Sequence, residues 1–173
     1  DQWIAVIGER NYYGEIQEGS TRSTMRYTFN SQLEAEYQIL DGLSAEISYG
    51  FNVVTSNTNA FHANVLLANI DGSTRYLTSD LTETDNNNTQ TLFTSLLKYQ
   101  KAIGKHEFNL LVGYSEEEFK WKWNSGFRSK FINNTQRILN LGDPSTMQNN
   151  AGAYDLGLQS AFGRINYILA RRY

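Results

Sequence analysis

Residues 25–56 read MRYTFNSQLEAEYQIL, then Asp41-Gly42, then LSAEISYGFNVVTS. In the first half the odd positions are Met25, Tyr27, Phe29, Ser31, Leu33, Ala35, Tyr37 and Ile39, apolar but for Ser31. The even positions Arg26, Thr28, Asn30, Gln32, Glu34, Glu36 and Gln38 are polar. After Asp-Gly the odd residues Leu43, Ala45, Ile47, Tyr49, Phe51 and Val53 stand against Ser44, Glu46, Ser48, Gly50 and Asn52. Period-two alternation this long predicts two strands, each with an apolar and a polar face. Asp-Gly between two such runs predicts a hairpin. Parity also fixes the turn. A two-residue loop would set Ile39 opposite Ser44 and cross the faces. A three-residue loop, Leu40-Asp41-Gly42, sets Ile39 opposite Leu43, with Gly42 left-handed.

Strands in ordinary sheets run to about five or six residues. From Tyr27 to Tyr37 the chain extends roughly 33 Å at about 3.3 Å per residue. Tilted by about 40°, that covers roughly 25 Å, the height of the apolar band on a membrane-spanning β-barrel. Tyrosines at both ends of an apolar face match the interfacial girdles of such barrels. The competing reading is a long hairpin in a soluble β-protein.

Composition narrows the classes. Aromatic residues make up 13% of the 173, eleven of them Tyr, and charged residues only 19%, which favours a β-rich chain with interfacial rings. A net charge of −3 with no basic block argues against a nucleic-acid partner. The absence of cysteine removes disulfide scaffolds, thiol catalysis and cysteine metal sites. A single proline fits long hydrogen-bonded strands. No run of about 18 apolar residues predicts a transmembrane helix, which leaves barrel strands open. The chain stops at Tyr173 within an apparent strand, so a piece of something longer is expected.

Along the chain, residues 1–24 show no period and read as loop, with Trp3, Ile4, Val6 and Ile7 forming a short strand or buried loop residues. Strands are expected at about 25–39, 43–56, 89–101, 106–123 and 153–169. Two long polar loops, 57–88 and 124–152, separate them, and Val65 to Ile70 suggests a short helix or strand inside the first. Connections thus alternate short and long. Outer-membrane barrels have that asymmetry, with tight periplasmic turns and long outer loops. The fold class is therefore all-β: an antiparallel up-and-down meander of about five long strands, part of a large transmembrane β-barrel. Around Ile103-Gly104, odd apolar residues of one strand face even ones of the next, which requires an even loop and sets Tyr99 opposite Phe108.

Three stretches resemble a known family. LKYQKAIGKHEFNLLVGYSEEEF resembles the strand-turn-strand of SusC/RagA-type TonB-linked outer-membrane transporters. LQSAFGRINYILARRY resembles that family's Ser-x-Phe-Gly-Arg-Leu-Asn-Tyr run through Ser160, Phe162, Gly163, Arg164, Asn166 and Tyr167, with Ile165 in place of Leu. YTFNSQLEAEYQILDGLSAEISYG resembles an earlier hairpin of the same barrel. The resemblance implies a barrel of about 22 strands with a plugged lumen. It implies uptake of glycans or peptides through the TonB complex, with a SusD-like lipoprotein lid, in the outer membrane of a Gram-negative bacterium of the Bacteroidetes. The plug domain and the TonB box would lie in other parts of the protein. A non-transporting adhesin barrel and a soluble carbohydrate-binding β-protein are the alternatives.

No catalytic residue, cofactor or metal is expected, and the chain does not read as an enzyme. His62 and His106 are far apart, with no evident ligand set. Of Glu116, Glu117 and Glu118, neighbours point to opposite faces, which reads as a solvated strand extension and not a glycosidase pair. Asn87-Asn88-Thr89 and Asn133-Asn134-Thr135 read as chance matches to a glycosylation pattern. Phe119, Trp121 and Trp123 are the candidate site. Odd-numbered, they break phase with the even apolar residues Phe108 to Tyr114. Either a bulge between Ser115 and Glu118 resets the phase, or the rings turn to the inner face above the apolar band, where they would contact a ligand or the lid. Packing beneath the 124–152 loop is the plainer role.

Overall fold

The structure, a computed structural model, describes residues 3–5 and 9–170. The expectations for Val6 and Ile7 and for Arg171-Arg172-Tyr173 lie outside the described residues. In chain order the elements are β1 (Trp3–Ala5), α1 (Tyr12–Gln17), β2 (Thr21–Leu40), β3 (Leu43–His62), β4 (Val65–Asn69), β5 (Thr74–Leu77), β6 (Asp80–Ile103), β7 (His106–Ser129) and β8 (Gln148–Leu169). Two single 3₁₀ turns, Leu139–Leu141 and Pro144–Thr146, precede β8. The long strands form one open five-stranded sheet in the order β2-β3-β6-β7-β8, an up-and-down meander. The short ones form a second sheet, β1-β4-β5. The chain divides into two compact units. One comprises Asp1–Tyr27, Thr55–Asn86 and Lys122–Ala153, the other Thr28–Val54, Asn87–Trp121 and Tyr154–Tyr173.

The second unit is sheet alone, and its side chains sort by parity. Asn30 meets Asn52, and Phe29 meets Phe51 with ring centroids 6.4 Å apart. Ser44 Oγ donates to Glu36 at 2.9 Å. Odd residues of β2 therefore share a face with odd residues of β3, as the three-residue turn requires. Gly42 is left-handed, at φ 82°. Its carbonyl accepts from Gln100 N at 2.7 Å, so the turn is tied to β6. The second turn is Gly104-Lys105. Its even length puts odd residues of β6 with even residues of β7, as expected. Tyr99 and Phe108 share a face as expected, but they are not directly paired, because β6 runs two residues further than read, to Ile103, while β7 starts at His106 as read. Phe108 instead meets Tyr167 of β8, with centroids 5.2 Å apart.

One face of this unit thus carries Phe29, Leu33, Tyr37, Ile47, Tyr49, Leu97, Val112, Ile165 and Tyr167, all exposed. The other carries Asn30, Gln32, Glu34, Glu36, Glu46, Asn52, Gln90 and Lys98. Two apolar residues of β6 fall on this polar face, and each packs over a glycine. Leu92 lies 3.8 Å from the position a Gly50 Cβ would take, and Leu96 lies 2.8 Å from that of Gly113. Phe162 of β8 closes on Gly113 as well.

The first unit holds every deeply buried apolar side chain among the described residues: Phe61, Ala63, Val65, Leu67, Leu81 and Phe131. Trp3, Leu77 and Leu139 pack against them. β1 runs parallel to β4, with Trp3 opposite Leu67. Residues 1–24 are not all loop: Asn11 caps α1 by accepting from Gly14 N at 2.8 Å. The Trp3 indole then occupies the space a side chain at Gly14 would need and donates to Glu18 Oε1 at 3.0 Å.

Much of the sequence read as loop in 57–88 and 124–152 is strand. Side-chain pairs carry the ladder onward: Asn57 with Asp85 at 2.6 Å, Asn59 with Glu83 at 3.0 Å, and Thr84 with Ser125 at 3.0 Å. These residues are polar on both faces, so no alternation marks them. Within 57–88, the stretch 65–77 folds into the β4-β5 hairpin.

The two turn glycines should respond differently to alanine. Nothing lies within 4 Å of a Cβ at Gly104, so Gly104→Ala meets only the left-handed strain, about 1–2 kcal/mol. At Gly42 the added Cβ also runs into the Gln100 carbonyl oxygen, so Gly42→Ala should cost about 1 kcal/mol more. Denaturant titration of the two variants measures the difference, and equal costs would remove the role given to the Gly42–Gln100 contact.

Candidate functional site

The candidate rings sit in the upper part of β7. From Glu116 to Asn124 exposure alternates: the even residues are exposed and Glu117, Phe119, Trp121 and Trp123 are half-buried. The phase is read from partners in β8. Gly113 faces Phe162, and Phe119 faces Tyr154 at a centroid distance of 6.5 Å. Both are odd residues meeting even ones, so no bulge resets the strand between them. Phe119 therefore lies on the face opposite Phe108 and Tyr167, and Trp121 follows it by simple alternation. In the first unit Trp123 covers Gly152, with its indole nitrogen 2.5 Å from where a Cβ would stand. A small residue at 152 leaves the indole the room it occupies there. The sequence reading places Gly152 at the end of the 124–152 loop, so nothing in it marks the glycine as a partner; the structure puts it inside β8.

The other sequence candidates disperse. His62 Nδ1 lies 2.8 Å from Asp80 Oδ1. His106 Nδ1 lies 2.6 Å from the Tyr167 hydroxyl, and the two rings stack. Tyr114 donates to Glu116 at 2.9 Å, Gln90 donates to Glu117 at 2.6 Å, and Glu118 pairs with Lys120 at 2.6 Å. Each carboxylate thus has its own partner, and none is paired with another across a cleft. Among the described residues no three His, Cys, Asp or Glu side chains gather as a metal site.

Sequence reasoning also missed how the 124–152 segment is held. Asn134 clasps the backbone of Asn64: its Oδ1 accepts from Asn64 N at 2.7 Å and its Nδ2 donates to Asn64 O at 2.9 Å. Asn133 accepts from Thr135 N and Gln136 N at 3.0 and 2.9 Å, an Asx turn. The Asn-Asn-Thr dismissed as a chance match is thus a structural clip. Arg137 lays its guanidinium 4.6 Å above the Phe61 ring and donates to Thr21 Oγ1 at 2.9 Å. Lys130, at φ 58°, donates through its amide to Ser79 O, and Phe131 N donates to the buried Ser79 hydroxyl.

Asp143 closes the segment. Its carboxylate accepts from Ser145 Oγ at 2.7 Å, Ser145 N at 2.9 Å and Lys130 Nζ at 3.3 Å. These bonds, that of the Ser145 hydroxyl foremost, hold its pKa below the ordinary carboxylate value. A depressed carboxylate contributes its stability above the unfolded value, about 3.9, and loses it as pH falls through the lower folded value. The turn at Pro144–Thr146 should therefore stay closed down to about pH 4 and open below it. The Ser145 amide resonance, followed by NMR from pH 6 to 2, reads this directly; an opening midpoint well above 4 would contradict it.

No protein-family model matches the chain. In sequence it is 29% identical over 147 residues to a protein named TonB-dependent receptor P3 from Formosa agariphila, across 84% of this chain and 14% of that protein. In structure it is similar to the RagAB peptide transporter, at a TM-score of 0.80 and 16% identity over 90% of this chain and 17% of the other. The RagAB peptide importer in an open-open state gives a TM-score of 0.79 at 18% identity, again over 90% of this chain and 17% of the other. The chain therefore spans less than a fifth of each of these relatives. At such identities the solved structures speak for the fold, a meander of long strands from a barrel wall. Sequence and fold together agree with the resemblance to SusC/RagA-type transporters read from the strand motifs.

Proposed function

We propose that this chain is a stretch of the barrel wall of a TonB-dependent importer in the outer membrane of a Gram-negative bacterium. One observation carries the reading: the second unit exposes an apolar face, from Phe29 and Leu33 on β2 to Ile165 and Tyr167 on β8, backed on β2 and β3 by a polar one. A water-soluble monomer rarely exposes so large an apolar surface, whereas outer-membrane strands present it to lipid. Likeness to a protein named as a TonB-dependent receptor and to a peptide transporter supports transport. On this reading the tight turns at Gly42 and Gly104 face the periplasm. The TonB box and plug belong to other parts of the protein, the cargo is a glycan or peptide, and a SusD-like lipoprotein is the lid. The wall itself does no covalent chemistry.

Phe119, Trp121 and Trp123 then contact cargo or lid. Ring faces are platforms for sugars and for apolar side chains, and these three turn away from the lipid-facing side. A solubility test addresses the first part: the protein should need detergent, and a monodisperse monomer in plain buffer would overturn the reading. For the rings, Trp121→Ala and Trp123→Ala together in the full-length protein should weaken binding of cargo or lid about tenfold, roughly 1.4 kcal/mol. Heat-modifiable migration should stay normal. Unchanged affinity and uptake in a correctly folded barrel would leave the rings a packing role alone.

A further inference from the structure

At the end of the second unit where β7 begins and β8 ends lies a cavity of about 320 Å³, bordered among others by Lys105, His106, Glu107, Ile168 and Ala170. The Ala170 amide donates to the Lys105 carbonyl at 2.7 Å, which ties the end of β8 to the Gly104-Lys105 turn and gives the cavity a fixed wall. His106 and Glu107 are neighbours on a strand and point to opposite faces, yet both border this space, so it wraps the end of the sheet.

Its charged side chains have no partners. The Lys105 ammonium and the Glu107 carboxylate make no hydrogen bond or ion pair among the described residues, not even with each other. Glu107 is half-buried, so its unmet carboxylate carries a desolvation cost. His106 Nδ1 lies 2.6 Å from the Tyr167 hydroxyl, and the two rings stack. With the hydroxyl donating to Nδ1, the ring proton sits on Nε2, a second donor without a partner among the described residues. A simple anion placed here would be repelled by Glu107, and a simple cation by Lys105. A ligand that carries both charges meets neither repulsion.

We propose that the cavity holds the headgroup of a zwitterionic phospholipid, its phosphate on Lys105 and His106 and its ammonium on Glu107. The place suits a lipid and not a cargo molecule. His106 and Tyr167 stand at the foot of the apolar face, where Tyr167 meets Phe108 with ring centroids 5.2 Å apart, and the exposed Val112 and Ile165 continue that face along the strands. Acyl chains lie along these side chains while the headgroup reaches the turn. A girdle of rings marks headgroup depth on barrels in general. The unpaired base and acid beside it are what select one headgroup over another.

This inference rests on the barrel-wall reading, which sets the turn at the periplasmic leaflet. The test titrates the full-length protein, delipidated in detergent, with phosphatidylethanolamine and with phosphatidylglycerol, which has the phosphate but no ammonium. Native mass spectrometry reads the tightest-bound lipid. Phosphatidylethanolamine should bind the unaltered protein about fivefold more tightly. Lys105→Gln should weaken it by about the same factor, and Lys105→Arg should restore it. Glu107→Gln should abolish the preference between the two lipids. Heat-modifiable migration confirms that each variant is folded, and the comparison of the two lipids on the unaltered protein needs no variant. Phosphatidylglycerol binding as tightly or more tightly, or Lys105→Gln leaving the affinity unchanged, would overturn this inference and leave the proposed function standing. A protein that stays monodisperse without detergent and takes up neither lipid would overturn both.

Discussion

Parity is the constraint on which everything else in this sheet depends. A strand shows its side chains alternately, so each turn decides whether the faces of its two strands match or cross. Here every turn is of the length that keeps them matched. The turn ending at Gly42 joins odd to odd, and the two residues at Gly104-Lys105 join odd to even. In each case the apolar sets coincide, as the contacts of Phe29 with Phe51 and of Phe108 with Tyr167 record. A one-residue slip at the first turn would set Glu34 and Glu36 of β2 on the same face as the apolar residues of β3. The left-handed glycines are the local means by which that outcome is avoided.

The fold was legible wherever polar and apolar residues alternate strictly. In β2 and the first half of β3 the alternation is clean, and the hairpin could be read from it. In β6 and β8 the legibility fades for a specific reason. Leu92, Leu96 and Phe162 fall on the polar face because glycines on adjacent strands leave room that only large side chains fill. An apolar residue there reports a neighbour on another strand, which no periodicity within one strand can show. The outer parts of the strands were missed for the opposite reason. Asn57, Asn59, Asp85 and Glu83 pair in polar surroundings on both sides, so neither face is marked.

The candidate rings were legible by phase alone. That Phe119, Trp121 and Trp123 leave the parity of Phe108 and Tyr114 is visible in the sequence. Excluding a bulge needed Tyr154 and Phe162 on the next strand. The clasp of Asn134 on Asn64 was out of reach of any local reading, since 70 residues separate the two and neither sits in a pattern. Long-range hydrogen bonds from short polar side chains carry almost no sequence signal, which is why the 124–152 segment looked featureless.

The buried cluster of the first unit has a consequence for how the protein comes into being. Its members arrive from distant places: Trp3 from near the start, Phe61 to Leu67 and Leu81 from the middle, Phe131 and Leu139 from late in the chain. Closing loops of that length must precede any reward from contact. The hairpins around Gly42 and Gly104, by contrast, join neighbours within a few residues. Strand pairing can thus begin while the chain is still being delivered, whereas the cluster must wait until residue 139 is in place. A chain halted before that point would carry paired strands and an unfinished cluster, with Phe61 and Leu67 uncovered.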